Sequence, residues 1–387
     1  MFNSLRMPKW IAILLISSSS TLASISLIRP MITYRAIEIG ATPAEIGILG
    51  AVYALFPIVL ALFLGKNVGR FGEAKYIVFG ASTMFLLALT FVFLNNLLLL
   101  GLATAAIGVS HLIGVVGGQT MISTRSPNEK LDGFFGYYAF GASLGQMVGP
   151  LVGGIAAGSN GVLPKSTSTG FLAAAGLALI ALLPTFYWRN QKIAIQQNVN
   201  STGTLPAAVA LIKQPGMAKA IYISLAVSSA VDVLIVFLPL FGTQYNFSPF
   251  AIGVILAIRA GASMFSRIFL GAIANKLGSH FLMVSSIIAS TVFCVAMFFA
   301  RTPLTLGLSV AIAGLALGVG QPLTMSLVSR IARPEDRALA ISARLTANRV
   351  GQFIVPASAG AIAGAAGAGS VFLGLAALLA SSIFTAL

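Results

Sequence analysis

Long apolar runs separated by short polar breaks make up most of this chain of 387 residues. A helix needs about 20 mostly apolar residues to cross the hydrocarbon core of a bilayer. The breaks divide the chain into twelve such segments, at 9–38, 43–66, 75–94, 96–124, 132–157, 169–188, 216–243, 248–273, 279–300, 303–330, 335–363 and 368–387. The pattern predicts an all-α polytopic membrane protein with twelve transmembrane helices.

Composition supports a lipid environment. Hydrophobic residues make up 58% of the chain and charged residues only 8%, with a mean hydropathy of +0.98. Soluble domains carry about 25% charged residues because their surfaces face water. Soluble enzymes, nucleic-acid binders and disordered proteins are therefore excluded. The single cysteine, Cys294, rules out an internal disulfide, and the sequence indicates no clustered metal site and no cofactor.

A repeat with an offset of 206 residues relates the two parts of the chain. Identical residues recur at this offset, among them Pro43, Ile46, Gly47, Gly145, Gln146, Pro150 and Gly154, which match Pro249, Ile252, Gly253, Gly351, Gln352, Pro356 and Gly360. The repeat predicts two pseudo-symmetric six-helix bundles, residues 1–188 and 216–387, joined by a polar cytoplasmic linker at 189–215. Parallel repeats of this kind are typical of transporters whose substrate site lies between the bundles near the midplane.

The distribution of basic residues predicts the orientation. Fifteen lysines and arginines fall at segment ends and loops on one side, and only Lys165 and Arg301 fall on the other. Cytoplasmic loops carry such an excess, so both termini are expected in the cytoplasm. The net charge of +15 then reflects these loops and indicates no nucleic-acid partner. Short tails and loops favour a bacterial inner membrane protein.

Two glycine-rich loops resemble a signature of the major facilitator superfamily. The signature, Gly-x-x-x-Asp-Arg-x-Gly, lies between helices 2 and 3 of that family. The matching residues here are Gly65, Arg70 and Gly72 in one copy and Gly271, Asn275, Lys276 and Gly278 in the other. The resemblance covers the whole chain and implies the twelve-helix fold and a monomer. Gly69 and Asn275 replace the acidic residue that latches the cytoplasmic gate in the family, so the latch here is expected to be weaker or built differently.

Helix 5 resembles the antiporter signature of drug–proton exchangers in the same family. The matching residues are Gly136, Gly145, Gly149, Pro150 and Gly153. Glycines that recur every four residues allow close helix packing, and a proline inside a helix favours a kink. A flexible helix at the bundle interface would suit rocking between two states. The alternative is close packing alone, as in any member of the family.

Asp232 is the only carboxylate placed well inside a predicted helix, and we expect it to bind the coupling proton. Ionisable groups in the bilayer core are costly and are candidates for function. Its ion-pair partner is expected to be Arg29 or Arg259, and a purely structural ion pair is the alternative role. Arg349 is a further cavity candidate, whereas Arg267 and Arg344 are expected to snorkel or to act at a gate.

Three neutral or titratable polar residues complete the predicted site. His111 is a second candidate for proton coupling because histidine titrates near neutral pH. Gln119 and Gln321 are candidates to line the cavity. Each of the three has an alternative role, which is to form hydrogen bonds between packed helices.

These features predict a secondary transporter that moves a small solute by alternating access, most simply by proton-coupled efflux of a drug or metabolite. No phosphate-binding loop is present, so an enzyme that hydrolyses ATP is not expected. Helix 4 lacks the arginine of many drug exporters at 104–111, and the excess of intramembrane arginines favours an anionic or zwitterionic solute. The alternatives are an uptake symporter or facilitator for an organic anion or sugar, and a sensor that transports nothing.

Overall fold

The computed structural model describes residues 8–127, 130–158, 161–188, 210–333 and 336–386, which contain twelve α-helices of 16 residues or more. The first half consists of α1 (Lys9–Glu38), α2 (Pro43–Phe71), α3 (Glu73–Phe91), α4 (Leu97–Arg125), α5 (Leu131–Ala157) and α6 (Thr167–Leu182). The second half consists of α7 (Met217–Gln244), α8 (Pro249–Leu277), α9 (Ser279–Phe299), α10 (Pro303–Ile331), α11 (Arg337–Ala366) and α12 (Ser370–Ala386). The predicted all-α fold is confirmed, and residues 189–209 of the predicted linker lie outside the described ranges.

Local signals set the same helix starts in both halves. Pro43 and Pro249 occupy the first positions of α2 and α8, where a missing N–H costs no hydrogen bond. The side chains of Thr42 and Ser248 cap these helices by accepting a hydrogen bond from a backbone N–H three residues on. Helices α2 and α8 differ by 206 residues at both ends, and so do α4 and α10. The sequence repeat is therefore also a repeat of helix boundaries.

Ten helices of the described part are long and apolar enough to cross a membrane. The other two are α11, which is rich in polar and small residues, and α12, which is short. Helix α11 packs on α2 of the first half and on α7 of the second half, and α12 packs on α9 and α7. The described part of the chain is therefore a bundle of twelve long α-helices, ten of which have the length and apolarity of membrane spans.

The two halves close against each other at one face. The chain passes through twelve helices, an even number, so the start of α1 and the end of α12 lie on the same side of the bundle. We call this side the terminal face and the other side the opposite face. At the opposite face the start of α2 meets α11, where a Cβ on Gly47 would lie 2.6 Å from the Pro356 carbonyl oxygen. The start of α8 meets α5 in the same way, where a Cβ on Gly253 would lie 2.5 Å from the Pro150 carbonyl oxygen. Only glycine allows two backbones to approach this closely.

The apolar core is organised differently at the terminal face. One large cluster contains side chains from both halves, such as Ile28 and Phe237. Near the terminal face, a cluster around Ile11 and Trp188 contains first-half residues, and another, which includes Met217, belongs to the second half. Burial thus joins the halves at the centre and the opposite face, while each half has its own core at the terminal face.

The glycine stripe of α5 packs within the first half. A Cβ on Gly145 or Gly149 would collide with a backbone carbonyl oxygen of α1, and one on Gly153 would lie 2.9 Å from a leucine of α1. Gly136 faces open space. Helix α5 does reach the interface between the halves, but it does so through Gly154, which packs on the start of α8. The glycines that recur every four residues thus pack on α1, while another face of α5 contacts the second half.

The repeated loop motif forms two equivalent turns. Gly72 and Gly278 follow α2 and α8 with φ of 90° and 84°, a backbone region that side chains with a Cβ rarely adopt. Asn275 and Lys276 are exposed near the end of α8. For three further motif residues the structure describes the backbone but not the surroundings of the side chain, namely Gly65, Arg70 and Gly271.

Candidate functional site

A buried ion pair joins the two halves at their centre. Asp232 lies in the middle of α7 and pairs with Arg29 of α1, whose Nη1 donates a hydrogen bond to the Oδ1 atom of Asp232. Each side chain is only 9% exposed. The sequence left Arg29 and Arg259 open as partners, and the structure pairs Asp232 with Arg29. Because one partner comes from each half, the pair resists any movement that separates α1 from α7.

Polar side chains extend this pair across the first half. The Arg29 guanidinium lies over the ring of Tyr53 on α2, with its Cζ atom 4.7 Å from the ring centroid. The Tyr53 hydroxyl is 2.6 Å from the Nδ1 atom of His111 on α4. The tautomer of the histidine decides which of these two groups donates the hydrogen bond. A continuous chain of contacts therefore links His111, Tyr53, Arg29 and Asp232 across four helices.

Tyr53 is not among the residues predicted from sequence, because a tyrosine in an apolar helix carries no charge that marks it. The repeat contains the signal that identifies it. The residue 206 positions after Tyr53 is Arg259, and the residue 206 positions before Asp232 is Ser26. A position that is polar in both copies of an otherwise apolar helix is a candidate for the central site.

Arg259 of α8 is a buried cation with no partner in the described part of the chain. It is 3% exposed, and its Nε atom lies in the protein without a hydrogen-bond acceptor. It is near enough to Asp232 and Arg29 to interact with both electrostatically. A buried guanidinium of this kind favours the approach of an anionic group.

Arg349 of α11 adds positive charge near the same chain of contacts. It interacts electrostatically with Tyr53 and His111. Its Nη1 atom donates a hydrogen bond of 3.0 Å to Oε1 of Gln352, one turn further along α11. This neutral partner leaves the charge of Arg349 uncompensated.

Arg267 and Arg344 both donate hydrogen bonds to groups on neighbouring helices. Arg267 donates hydrogen bonds to the Gly318 carbonyl oxygen at 3.1 Å and to Oγ of Ser143 at 3.3 Å, and so connects α8 with α10 and with α5 of the first half. Arg344 is 6% exposed and donates a hydrogen bond of 2.8 Å to Oγ of Ser224. Hydroxyl and carbonyl oxygens therefore hold both guanidinium groups, although the Nε atom of Arg344 has no acceptor among the described residues.

The centre of the bundle carries more positive than negative charge. Within the described ranges, the ion pairs are Arg29–Asp232, Arg35–Glu38 and Arg125–Glu73. Four further arginines inside the second half have no carboxylate partner there, namely Arg259, Arg267, Arg344 and Arg349. The arrangement is chemically suited to bind an anion and to exchange a proton at one carboxylate.

The two predicted glutamines have different positions. Gln321 on α10 accepts a hydrogen bond of 3.4 Å from Arg267 and approaches Ser228 of α7, one turn from Asp232, at 3.5 Å. Gln119 is exposed on α4, and no hydrogen bond of the described part connects its side chain to the site. The structure therefore brings Gln321 to the central cluster and leaves Gln119 apart from it.

Comparison with known proteins places this geometry in a family. A family model described as Major Facilitator Superfamily matches residues 14–310 and 233–387. The protein named Multidrug resistance protein MdtG is 24% identical in Enterobacter lignolyticus, over 79% of this chain and 74% of that protein, and 22% identical in Citrobacter koseri, over 90% and 87%. A crystal structure of the nucleoside transporter NupG has a TM-score of 0.80 at 16% identity and covers 97% of this chain and 98% of that one.

Proposed function

Since the chain belongs to the major facilitator superfamily of membrane transporters, we propose that it exports a small organic solute by proton-coupled alternating access. We place it in the bacterial inner membrane as a monomer with both termini in the cytoplasm. The observation that carries the proposal is the buried pair of Asp232 and Arg29 between the two halves. Alternating access requires the halves to part at each face in turn, and this pair opposes that movement.

The pair acts as a lock on the empty transporter. Separating two buried opposite charges, or removing one of them, costs several kcal/mol because the remaining charge stays out of water. The transporter without proton or solute therefore stays closed at the opposite face, as in this structure. This prevents the empty, unprotonated protein from changing face and dissipating the gradient.

Two events release the lock, and their alternation produces exchange. A proton that binds an Oδ atom of Asp232 neutralises the carboxylate, while Arg29 keeps its contact with the Tyr53 ring. An anionic group of a solute that binds Arg29 or Arg259 competes with Asp232 for the guanidinium. Proton and solute then occupy the site in turn, and each inward proton supplies about 2.3 kcal/mol at 100 mV.

Three observations support export of an anionic or zwitterionic solute. The relatives are named multidrug resistance proteins. The opposite face is closed by the glycine contacts of α2 and α5, which is the arrangement that an exporter needs before it opens its site to the cytoplasm. The four arginines of the second half without a carboxylate partner supply the complementary charge.

The second candidate is an uptake symporter or facilitator for an organic anion. Arg259 favours it, because a buried guanidinium without a partner binds an anion whichever way the anion travels. The direction of the accompanying proton distinguishes the two functions. Export requires protons and solute to move in opposite directions, and symport requires the same direction.

The test uses proteoliposomes that contain a pH-sensitive dye and a panel of organic anions, zwitterions and cations. When a transported solute is added, the native protein should move protons across the membrane in the direction opposite to the solute. Asp232→Asn should still exchange that solute down its gradient but should no longer concentrate it. Asp336→Asn, which removes a carboxylate at the start of α11 outside the site, is the matched control and should behave as the native protein does. If Asp232→Asn still concentrates solute, Asp232 is not the coupling site.

A further inference from the structure

A pocket at the terminal face lies apart from the central site. It opens between α7, α9 and α10 and encloses about 830 Å³ including its mouth. Its floor is apolar and includes the buried side chains of Ile223 and Met283. Its rim carries three exposed basic side chains, those of Lys219, His280 and Arg330, and no carboxylate is among the described residues that line it.

The first half shows what the fold requires at the same position. Ser279 and Ile331 of the pocket wall are the repeat partners of Glu73 and Arg125. In the first half the Nε and Nη2 atoms of Arg125 each lie 2.9 Å from the Oε1 atom of Glu73. That half therefore fills the position with its own ion pair, whereas the second half has replaced both partners with neutral residues.

The basic rim has no counterpart in the first half. The repeat partners of Lys219, His280 and Arg330 are Ile13, Ala74 and Thr124. Three basic residues from three helices thus surround a position where neutral residues replace the ion pair of the first half. The duplicated fold does not need them for packing, since the first half forms the same helices without them.

Two helix starts add to the positive potential. Gly216 and Gly278 precede α7 and α9, and neither helix has a side-chain cap on its first N–H groups. Gly216 and Ser279 both line the pocket. Uncapped helix N-termini favour negatively charged groups, phosphate in particular.

We propose that this pocket binds an anionic phospholipid, with the headgroup phosphate on the rim of Lys219, His280 and Arg330 and an acyl chain on the apolar floor. The combination of a cationic rim and an apolar floor matches an amphiphile rather than a free ion. Basic pockets between helices at the cytoplasmic side of a membrane are suited to acidic lipid headgroups. Lys219 and Asp232 are 13 residues apart on α7, about 20 Å along the helix, so the lipid does not occupy the central site.

The test measures binding of phosphatidylglycerol to the purified, delipidated full-length protein by native mass spectrometry. The variant Lys219→Ile/Arg330→Thr gives the rim the residues of the first half. The control, Lys75→Ile/Lys130→Thr, removes two exposed lysines at the same face in the first half. We expect the rim variant to bind about thirtyfold more weakly, since each basic residue contributes about a factor of five, and the control to bind as the native protein does.

Two further arms identify the occupant. Phosphatidylcholine with the same acyl chains tests the need for net negative charge, and glycerol phosphate tests the need for the chain. Binding of phosphatidylglycerol that neither probe matches supports the proposal. Equal binding of phosphatidylcholine, equal competition by glycerol phosphate, or equal loss of lipid in the rim variant and the control overturns it.

A third variant tests the argument from the repeat without removing a cation. Ser279→Glu restores the carboxylate that the first half has at this position, and it should supply the rim with an internal counter-charge. Binding of phosphatidylglycerol should then weaken while transport through the central site continues. Undiminished lipid binding by Ser279→Glu would contradict the assignment of the rim as the headgroup site.

Discussion

The two halves share their helices but differ in charge. Helices α2 and α8 begin and end at repeat-related residues, yet the position occupied by Tyr53 in α2 is occupied by Arg259 in α8. Ser26 of α1 likewise corresponds to Asp232 of α7. Of the five arginines and one aspartate assigned to the central region, Arg29, Asp232, Arg259, Arg267, Arg344 and Arg349, only Arg29 belongs to the first half. Duplication supplied the scaffold twice, whereas the chemistry that we assign to transport is concentrated in one copy.

This asymmetry determines what each half contributes. The first half brings Arg29 together with the hydrogen-bonding groups of Tyr53 and His111. The second half brings the carboxylate and the arginines that lack a carboxylate partner. An ion pair with one charge in each half must break when the halves separate, whereas an ion pair within one half does not.

The largest expected effect comes from removing the charge that the second half contributes to the pair. Asp232→Asn leaves Arg29 buried without its partner, and the free energy of unfolding should fall by about 3 kcal/mol. Thermal unfolding in detergent measures this change. The double variant with Arg29→Gln should recover most of the loss because no uncompensated charge remains. Native stability of the single variant would show that the pair is not buried as described.

The next effect compares repeat-related glycines. A Cβ on Gly145 would collide with a carbonyl oxygen of α1, whereas one on Gly351 would meet side-chain atoms of Leu225 and Ser229 at 2.5 Å. Gly145→Ala should therefore destabilise the protein by roughly 1–3 kcal/mol and Gly351→Ala by less, because side chains move more easily than backbone. Gly136→Ala, in open space, is the control for thermal unfolding. Equal costs for Gly145→Ala and Gly136→Ala would contradict the described packing of α5.

A smaller effect is expected at Arg259, whose equivalent position in the first half is occupied by a tyrosine. Arg259→Gln should weaken binding of a transported anion about tenfold, as expected for loss of a charged hydrogen bond. Arg259→Lys, which keeps the charge, should retain most of the affinity. Isothermal titration with an anion from the transport panel measures both. If Arg259→Gln binds the anion as tightly as the native protein, Arg259 is not part of the anion site.

The smallest effect is expected at Tyr53. Tyr53→Phe keeps the ring under Arg29 but removes the hydrogen bond to His111, which is worth about 1 kcal/mol. The free energy of unfolding should therefore fall by about 1 kcal/mol, which thermal unfolding in detergent measures. A loss of stability as large as that of Asp232→Asn would contradict the assignment of a single hydrogen bond to the Tyr53 hydroxyl.

The sequence predicted the helices well because a bilayer permits few alternatives to long apolar helices. The repeat extended that prediction to helix boundaries and to the depth of Asp232 relative to Arg29. It did not reveal which face of α5 carries the glycine stripe, since Gly145 and Gly154 both lie on crowded faces that contact different helices. Tyr53 escaped prediction because its role depends on a guanidinium from another helix. The pocket at Lys219 could not be predicted, because its second-half position lacks the carboxylate that Glu73 supplies in the first half. This difference becomes visible only when the two folded halves are compared.

The central claim is that the Asp232–Arg29 pair locks the halves together until a proton or a solute releases it. Pulsed electron paramagnetic resonance between two spin labels measures the separation of the halves. The labels are placed at Ser123 and Ser329, which are repeat-related positions near the ends of α4 and α10 at the terminal face. The native protein without solute should give one distance, and Asp232→Asn should add a second, shorter one because the unlocked protein also closes at this face. An identical single distance in both proteins would contradict the lock.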